Sequence, residues 1–190
     1  MTAVPVAQRM TAEEFLAQPY RDDAARRELI DGEVVVSEPK ALHNHVQTRL
    51  VVELSNWIDA GEGRGQVFIP LDVKLDDLNV FVPDVSWYAA SHALDIRSDP
   101  PYPVPDLAIE VRSRSTWRYN LGAKKAEYER HRLRELWLVD TAAATVLVFR
   151  RSAPEAPLFD VALELERGDV LGSPALPDFA LALERLFDEQ

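Results

Sequence analysis

The chain has 190 residues, 47% hydrophobic and 28% charged, the mixture of a globular protein with a substantial core. It contains no cysteine, which excludes disulfides, thiol catalysis and cysteine-ligated zinc or iron–sulfur centres. A net charge of −11 argues against a protein that coats nucleic acid or an anionic membrane with its whole surface.

The first ten residues lack the apolar run of a secretion signal, and nowhere does the chain offer the run of about 18 apolar residues that a membrane span needs. A cytoplasmic protein of one domain, residues 1–190, is the expectation. Thr11 and Glu14 have the spacing of a capping box, so a short helix should start near Ala12 and stop before Pro19. Asp31-Gly32 between Arg27–Ile30 and Glu33–Val36 predicts a tight hairpin, because this pair tolerates positive φ. Leu42, Val46, Leu50, Leu54 and Ile58 then recur every four residues before Gly61, the pattern of an amphipathic helix with a glycine stop.

Val67, Ile69, Leu71, Val73 and Leu75 alternate strictly and predict one strand, paired as a hairpin with Val80–Tyr88. The proline-rich segment Ser91–Pro105 reads as a surface loop. A strand over Asp106–Ser113, a helix from Trp117 to about Leu133 and a central strand at Leu136–Val139 suggest a parallel crossover. Thr145–Arg150 and Leu158–Glu164 read as antiparallel strands, and Asp178 as the cap of a closing helix through Phe187. The whole predicts an α/β (α+β) fold: a mixed sheet flanked by helices, with added antiparallel hairpins.

Within this frame two carboxylates stand out. Strand alternation puts Asp84 on one face with Val80 and Val82, and Glu110 on one face with Ala108 and Arg112 while Leu107, Ile109 and Val111 bury the other. Rigid carboxylates in apolar company need a compensating cation, and a hard divalent ion such as Mg²⁺ or Mn²⁺ takes oxygen ligands well. A structural cap at Asp84, or a plain salt bridge from Glu110, is the ordinary alternative. Helical phase places Leu121, Lys124, Lys125, Tyr128 and Arg132 on one side, with Asn120 and His131 at its margin, so Lys124 should point at the sheet. A lysine there can orient or deprotonate a water, which an arginine does poorly. From Arg112 to Arg134 eight basic residues face two acidic ones, a segment of +6 in a remainder of −17. Such a segment can steer a phosphate or can be a solvated helix face.

Pro83-Asp84, then Glu110 to Ser113, then Lys124 in a helix carrying Tyr128, and the strand Leu136–Asp140 together resemble the Uma family of restriction-endonuclease-like proteins in the PD-(D/E)XK nuclease superfamily. Thr11–Phe15, Glu28–Glu33, His43 and Leu176–Phe179 extend the resemblance over nearly the whole chain. It implies a restriction-endonuclease-like core and metal-dependent hydrolysis of phosphodiesters, with double-stranded DNA as the expected partner and a homodimer as the simplest way to cut both strands. Asp84 and Glu110 match the family's metal-binding carboxylates, Lys124 its lysine displaced from strand to helix, and Glu33 an acidic residue supplied early in the chain. Arg112, Arg114, Arg118 and Lys125 would supply nucleic-acid contacts, and His43 would lie near the cleft. Three departures are visible, the first that the family's strand usually continues with an apolar residue and later a proline, where this chain has Arg112 and Arg114. Asn120 stands where the family usually has an aspartate, and Arg112 holds the lysine slot of the superfamily motif, as a phosphate clamp or a surrogate lysine. The alternative function is a silent nuclease-fold domain that binds nucleic acid or a protein.

Overall fold

The computed structural model describes residues 9–19, 25–113 and 117–188. The capping box forms: Thr11 and Glu14 satisfy each other's amides at the start of α1 (Ala12–Leu16). The hairpin of β1 (Arg26–Ile30) and β2 (Glu33–Ser37) turns through Asp31 and Gly32, both at positive φ (51° and 77°). Then follow α2 (Ala41–Asp59), β3 (Gln66–Phe68), β4 (Val73–Lys74), β5 (Val80–Phe81) and β6 (Val85–Tyr88). β7 (Leu107–Val111) leads into one helical run made of α3 (Trp117–Tyr119), a π-helical turn (Asn120–Lys124) and α4 (Lys125–Arg130). β8 (Glu135–Asp140), β9 (Thr145–Arg150), β10 (Val161–Leu165), β11 (Val170–Ser173), β12 (Leu176–Ala182) and α5 (Leu183–Phe187) complete the order.

The main sheet has the order β10-β9-β8-β7-β6-β3 and is mixed, because β7 and β8 run parallel across the helical crossover while its other pairs are antiparallel. A smaller antiparallel sheet, β2-β1-β5-β4, and the hairpin β11-β12 are added to it. One face of the main sheet buries Leu107, Ile109, Val111, Trp137 and Val139 against Val46, Leu50, Leu54 and Trp57 of α2 and Phe179 of β12. The opposite face carries Ala108, Leu136 and Leu138 under Tyr128 of α4 and Phe81 of β5. Among the described residues no helix is long and apolar enough to cross a membrane.

Four expectations need correction. The predicted strand Val67–Leu75 breaks at Ile69-Pro70, where proline removes a ladder donor and Ile69 is 61% exposed. Its halves, β3 and β4, pair in different sheets, and the partner strand splits likewise at Val82–Asp84 into β5 and β6. In α2 each four-residue step advances about 40° beyond a full turn, so the stripe drifts. Leu42 therefore ends up exposed, while His43 and Trp57 are buried. The crossover helix stops at Arg130, with Arg132 at positive φ (65°), short of Leu133. Asp178 lies within β12 at positive φ (63°) and caps nothing; α5 starts only at Leu183, because Leu176, Phe179 and Leu181 are needed as core residues of a strand paired with β11.

Candidate active site

Asp84 sits where the chain leaves the small sheet and enters the main one, immediately before β6. This crossing, more than a shared strand face, makes it buried, at 2% exposure. The backbone amide of Val111 donates to Oδ2 at 2.6 Å, and Arg26 and His43 Nε2 (3.1 Å) face Oδ1. Gln47 holds the Asp84 carbonyl at 2.7 Å. Burial alone would raise the Asp84 pKa, but His43, Arg26 and the Val111 amide outweigh it and hold the carboxyl below its ordinary value. An ionised carboxylate only accepts, so His43 Nε2 carries the hydrogen and donates it. Nδ1 of the same ring is buried without a hydrogen-bond partner among the described residues.

Glu110 comes from the centre of β7, one step along the ladder from the Val85–Ile109 pair, and so lies beside Asp84. Its Oε1 accepts from the Tyr128 hydroxyl at 2.9 Å and lies 2.5 Å from Lys124 Nζ. Burial pushes its pKa up to about 8 against the pull of Lys124, helped by the neighbouring charges of Glu28 and Asp84. Lys124 is fully buried, bridges Glu110 and Glu28 (2.6 Å), and lies over the ring of Phe81 at 5.2 Å. Burial would lower its pKa, but the two carboxylates more than reverse that, so the ammonium stays charged. Glu28 in turn accepts the Val82 amide at 2.7 Å, which ties the network to the strand break before Asp84.

The π-helical turn decides which residues accompany Lys124 on the inner face. An extra residue in the turn rotates the helix so that Asn120, Lys124 and Tyr128 face inward together. A regular α phase would bury Leu121, which is 43% exposed, and would aim Lys125 at the sheet. Lys125 instead lies over the rings of Phe149 (4.6 Å) and Phe159 (5.7 Å).

Asp84, Glu110, Lys124 and His43 are therefore brought together, and Asn120 is buried close by in sequence with Oδ1 unpartnered among the described residues. Glu33 is not part of this group: it is exposed on β2 opposite Ile30. The early carboxylate in the network is Glu28, with Arg26 beside it. Period-two alternation along β1, which sets Arg26, Glu28 and Ile30 on one face, is the signal that identifies both. Arg112 Nη1 donates to both carboxylate oxygens of Asp140 (2.7 Å to each) and the guanidinium lies 5.5 Å from the Trp117 ring centre, so it does not take the place of the lysine. Arg118 is exposed on α3, and Arg114 lies outside the described residues. The one group of three potential ligand side chains whose atoms converge among the described residues is Asp76, Glu127 and His131, away from this network. The Arg130 guanidinium already bridges its two carboxylates.

In front of His43 opens a cleft of about 660 Å³, bounded by β2, the start of α2 and the residues that follow β7 and β8.

A mixed sheet with a parallel β7–β8 step, a carboxylate in mid-strand and a lysine on the crossover helix defines a nuclease-like fold. The crystal structure of "a putative nuclease" from Anabaena variabilis ATCC 29413 has this fold, with a TM-score of 0.74, 21% identity, and coverage of 94% of this chain and 97% of that one. The chain belongs to the family described as "Putative restriction endonuclease", whose model matches residues 12–184. No curated protein matches it.

Proposed function

We propose that this chain is a divalent-metal-dependent endonuclease that hydrolyses phosphodiester bonds in DNA, using Mg²⁺ or Mn²⁺ and acting in the cytoplasm. The observation that carries this reading is the imbalance of charge in a water-poor network. Three buried carboxylates, Asp84, Glu110 and Glu28, face the two cations Arg26 and Lys124, and burial, helped by the charges of Glu28 and Asp84, pushes Glu110 towards its protonated form. An all-oxygen donor set short of positive charge fits a hard divalent ion, with Asp84 and Glu110 as its holders. Such an ion, when bound, polarises the phosphate and supplies hydroxide near neutral pH.

The chain's own residues do the rest. Lys124, kept charged by Glu28, presents a fixed ammonium to the charge that grows on the phosphate oxygens. Arg26 and His43 hold Asp84 ionised and in place. A duplex substrate cut by a symmetric dimer is the form of the proposal that the sequence favours. The silent-domain alternative draws on Asn120, a neutral side chain that cannot serve as a base.

Glu110→Gln is the decisive variant, because it keeps the shape and removes a charge that the fold holds at a cost. Mn²⁺-dependent cleavage should fall by at least about a hundredfold, with the melting temperature of the metal-free protein unchanged or raised. Wild-type protein that cuts no nucleic acid in Mg²⁺ or Mn²⁺, or a Glu110→Gln variant that cuts at the wild-type rate, would refute the reading.

A further inference from the structure

The cleft in front of His43 holds none of the carboxylates of the network, yet several features converge on it. Its wall includes Val36 and Leu42, apolar side chains left 47% and 43% exposed. Its rim includes the first turn of α2, a 19-residue helix whose N-cap, Lys40, makes no side-chain capping bond, so the helix presents uncapped amides and the positive end of its dipole. Lys40 is itself exposed and pairs with no carboxylate among the described residues. His43, only 6% exposed, lines the cleft, and its buried Nδ1 is unpartnered while Nε2 is spent on Asp84. The remaining charges at the rim are Glu38 and Arg112, the latter bound to Asp140.

We propose that this cleft seats one unpaired nucleotide of the substrate strand, its phosphate against the start of α2 beside Lys40 and its base against Val36 and Leu42. The proposal rests on the nuclease reading and replaces its duplex form with substrates of single-stranded character. A helix start with a lysine suits an anionic group, an apolar wall suits the face of a base, and a nucleotide joins the two. At about 660 Å³ the cleft is in the range of small-molecule sites and far larger than a lone phosphate requires. A base can lie on that wall only if it is splayed away from its partner strand. The charge distribution agrees. Arg112, Lys124, Arg130 and Arg134 each face a carboxylate within the chain, which removes much of the basic track that a duplex backbone would follow.

The test uses the full chain without metal, titrated with a fluorescent oligothymidylate and with the same strand in a blunt duplex. Single-strand affinity should exceed duplex affinity by at least about tenfold, and Leu42→Asp and Lys40→Glu should each weaken it by about tenfold. Leu42→Asp puts an acid in the first turn of a helix, where it favours folding, so loss of binding reads the cleft and not the fold. Val170→Asp, at an exposed position on β11, should bind as wild type. With Mn²⁺, Leu42→Asp should raise KM for the single strand by about tenfold with kcat nearly unchanged, as for a contact made equally in ground and transition states. Equal affinity for duplex and single strand, or wild-type binding by both cleft variants, would overturn the proposal while leaving the nuclease reading intact. Single-strand binding with this variant pattern but no cleavage in either metal would support the cleft and remove the nuclease reading.

Discussion

Glu110 and Glu135 are both buried on neighbouring strands, and burial pushes both pKa values up although their partners differ. Glu110 is given Lys124 and a tyrosine hydroxyl, and Lys124 is given Glu28 as well, a buried ionic network in which loss of Lys124 would leave two carboxylates without their cation. Glu135 receives only neutral donors at close range, Trp137 Nε1 at 2.6 Å and the Ser173 hydroxyl, and burial raises its pKa above the ordinary 4.5. A carboxyl whose folded-state pKa lies above its unfolded value binds its proton more tightly in the native state. Its contribution to stability is therefore complete below the unfolded value, about pH 4.3, and is lost as the pH rises through the raised native value. Urea unfolding of the metal-free protein at a series of pH values should show that decline, and Glu135→Gln should flatten it, since an amide keeps the shape and does not titrate. An identical pH slope in the variant would show that Glu135 ionises normally.

The main sheet and the small sheet exchange strands, and that exchange is where sequence periodicity stops being informative. Alternation from Val67 to Leu75 is genuine, but alternation is the same in any sheet, so it cannot report that β3 pairs with β6 and β4 with β5. Pro70 and Pro83 mark the two breaks, and Pro83 is what sets Asp84 at the crossing. The site triad of Asp84, Glu110 and Lys124 was legible because each residue type is out of character on its apolar strand or helix face. Arg26 and Glu28 were overlooked although alternation along β1 sets them on one face with Ile30, because that pattern does not say which face of a hairpin strand is covered. The π turn was invisible for a different reason: a one-residue change of phase leaves composition and local propensity untouched. Gly65 shows how tightly the far end of the β3–β6 pair is built. It has φ of +80°, and a Cβ there would lie 2.1 Å from the Tyr88 carbonyl oxygen of the paired strand. Gly65→Ala should cost at least about 2 kcal/mol in urea unfolding, from backbone strain and displacement of β6. Gly122→Ala, where a Cβ meets open space, should instead gain about 0.5–1 kcal/mol. Equal stabilities for the two variants would mean that the β3–β6 contact is not close.

At the scale of the whole molecule, the acidic balance and the basic segment cannot simply be subtracted from one another. The −11 body would repel a polyanion, and the +6 segment read from the sequence would answer it with eight cations. Folding spends that segment internally: Arg112, Arg130 and Arg134 close on carboxylates, Lys124 enters the buried network, and Lys125 lies on aromatic rings. Of the described residues of the segment, Arg118 and Arg132 remain exposed and face no carboxylate, and Lys40, outside the segment, is exposed as well. Association with single-stranded DNA should then release few counterions. With about two or three phosphates neutralised, the slope of log K against log salt should lie near −2, since each contact on a single strand contributes about −0.7. A protein using all eight cations would show a slope steeper than about −5 on the same scale. Lys40→Glu should flatten the slope further by about 0.7, whereas Arg130→Ala, which only breaks an internal pair, should leave it unchanged. A steep slope that Arg130→Ala reduces would mean that the internal pairs open to meet the nucleic acid, and that binding rearranges the surface that the folded chain presents alone.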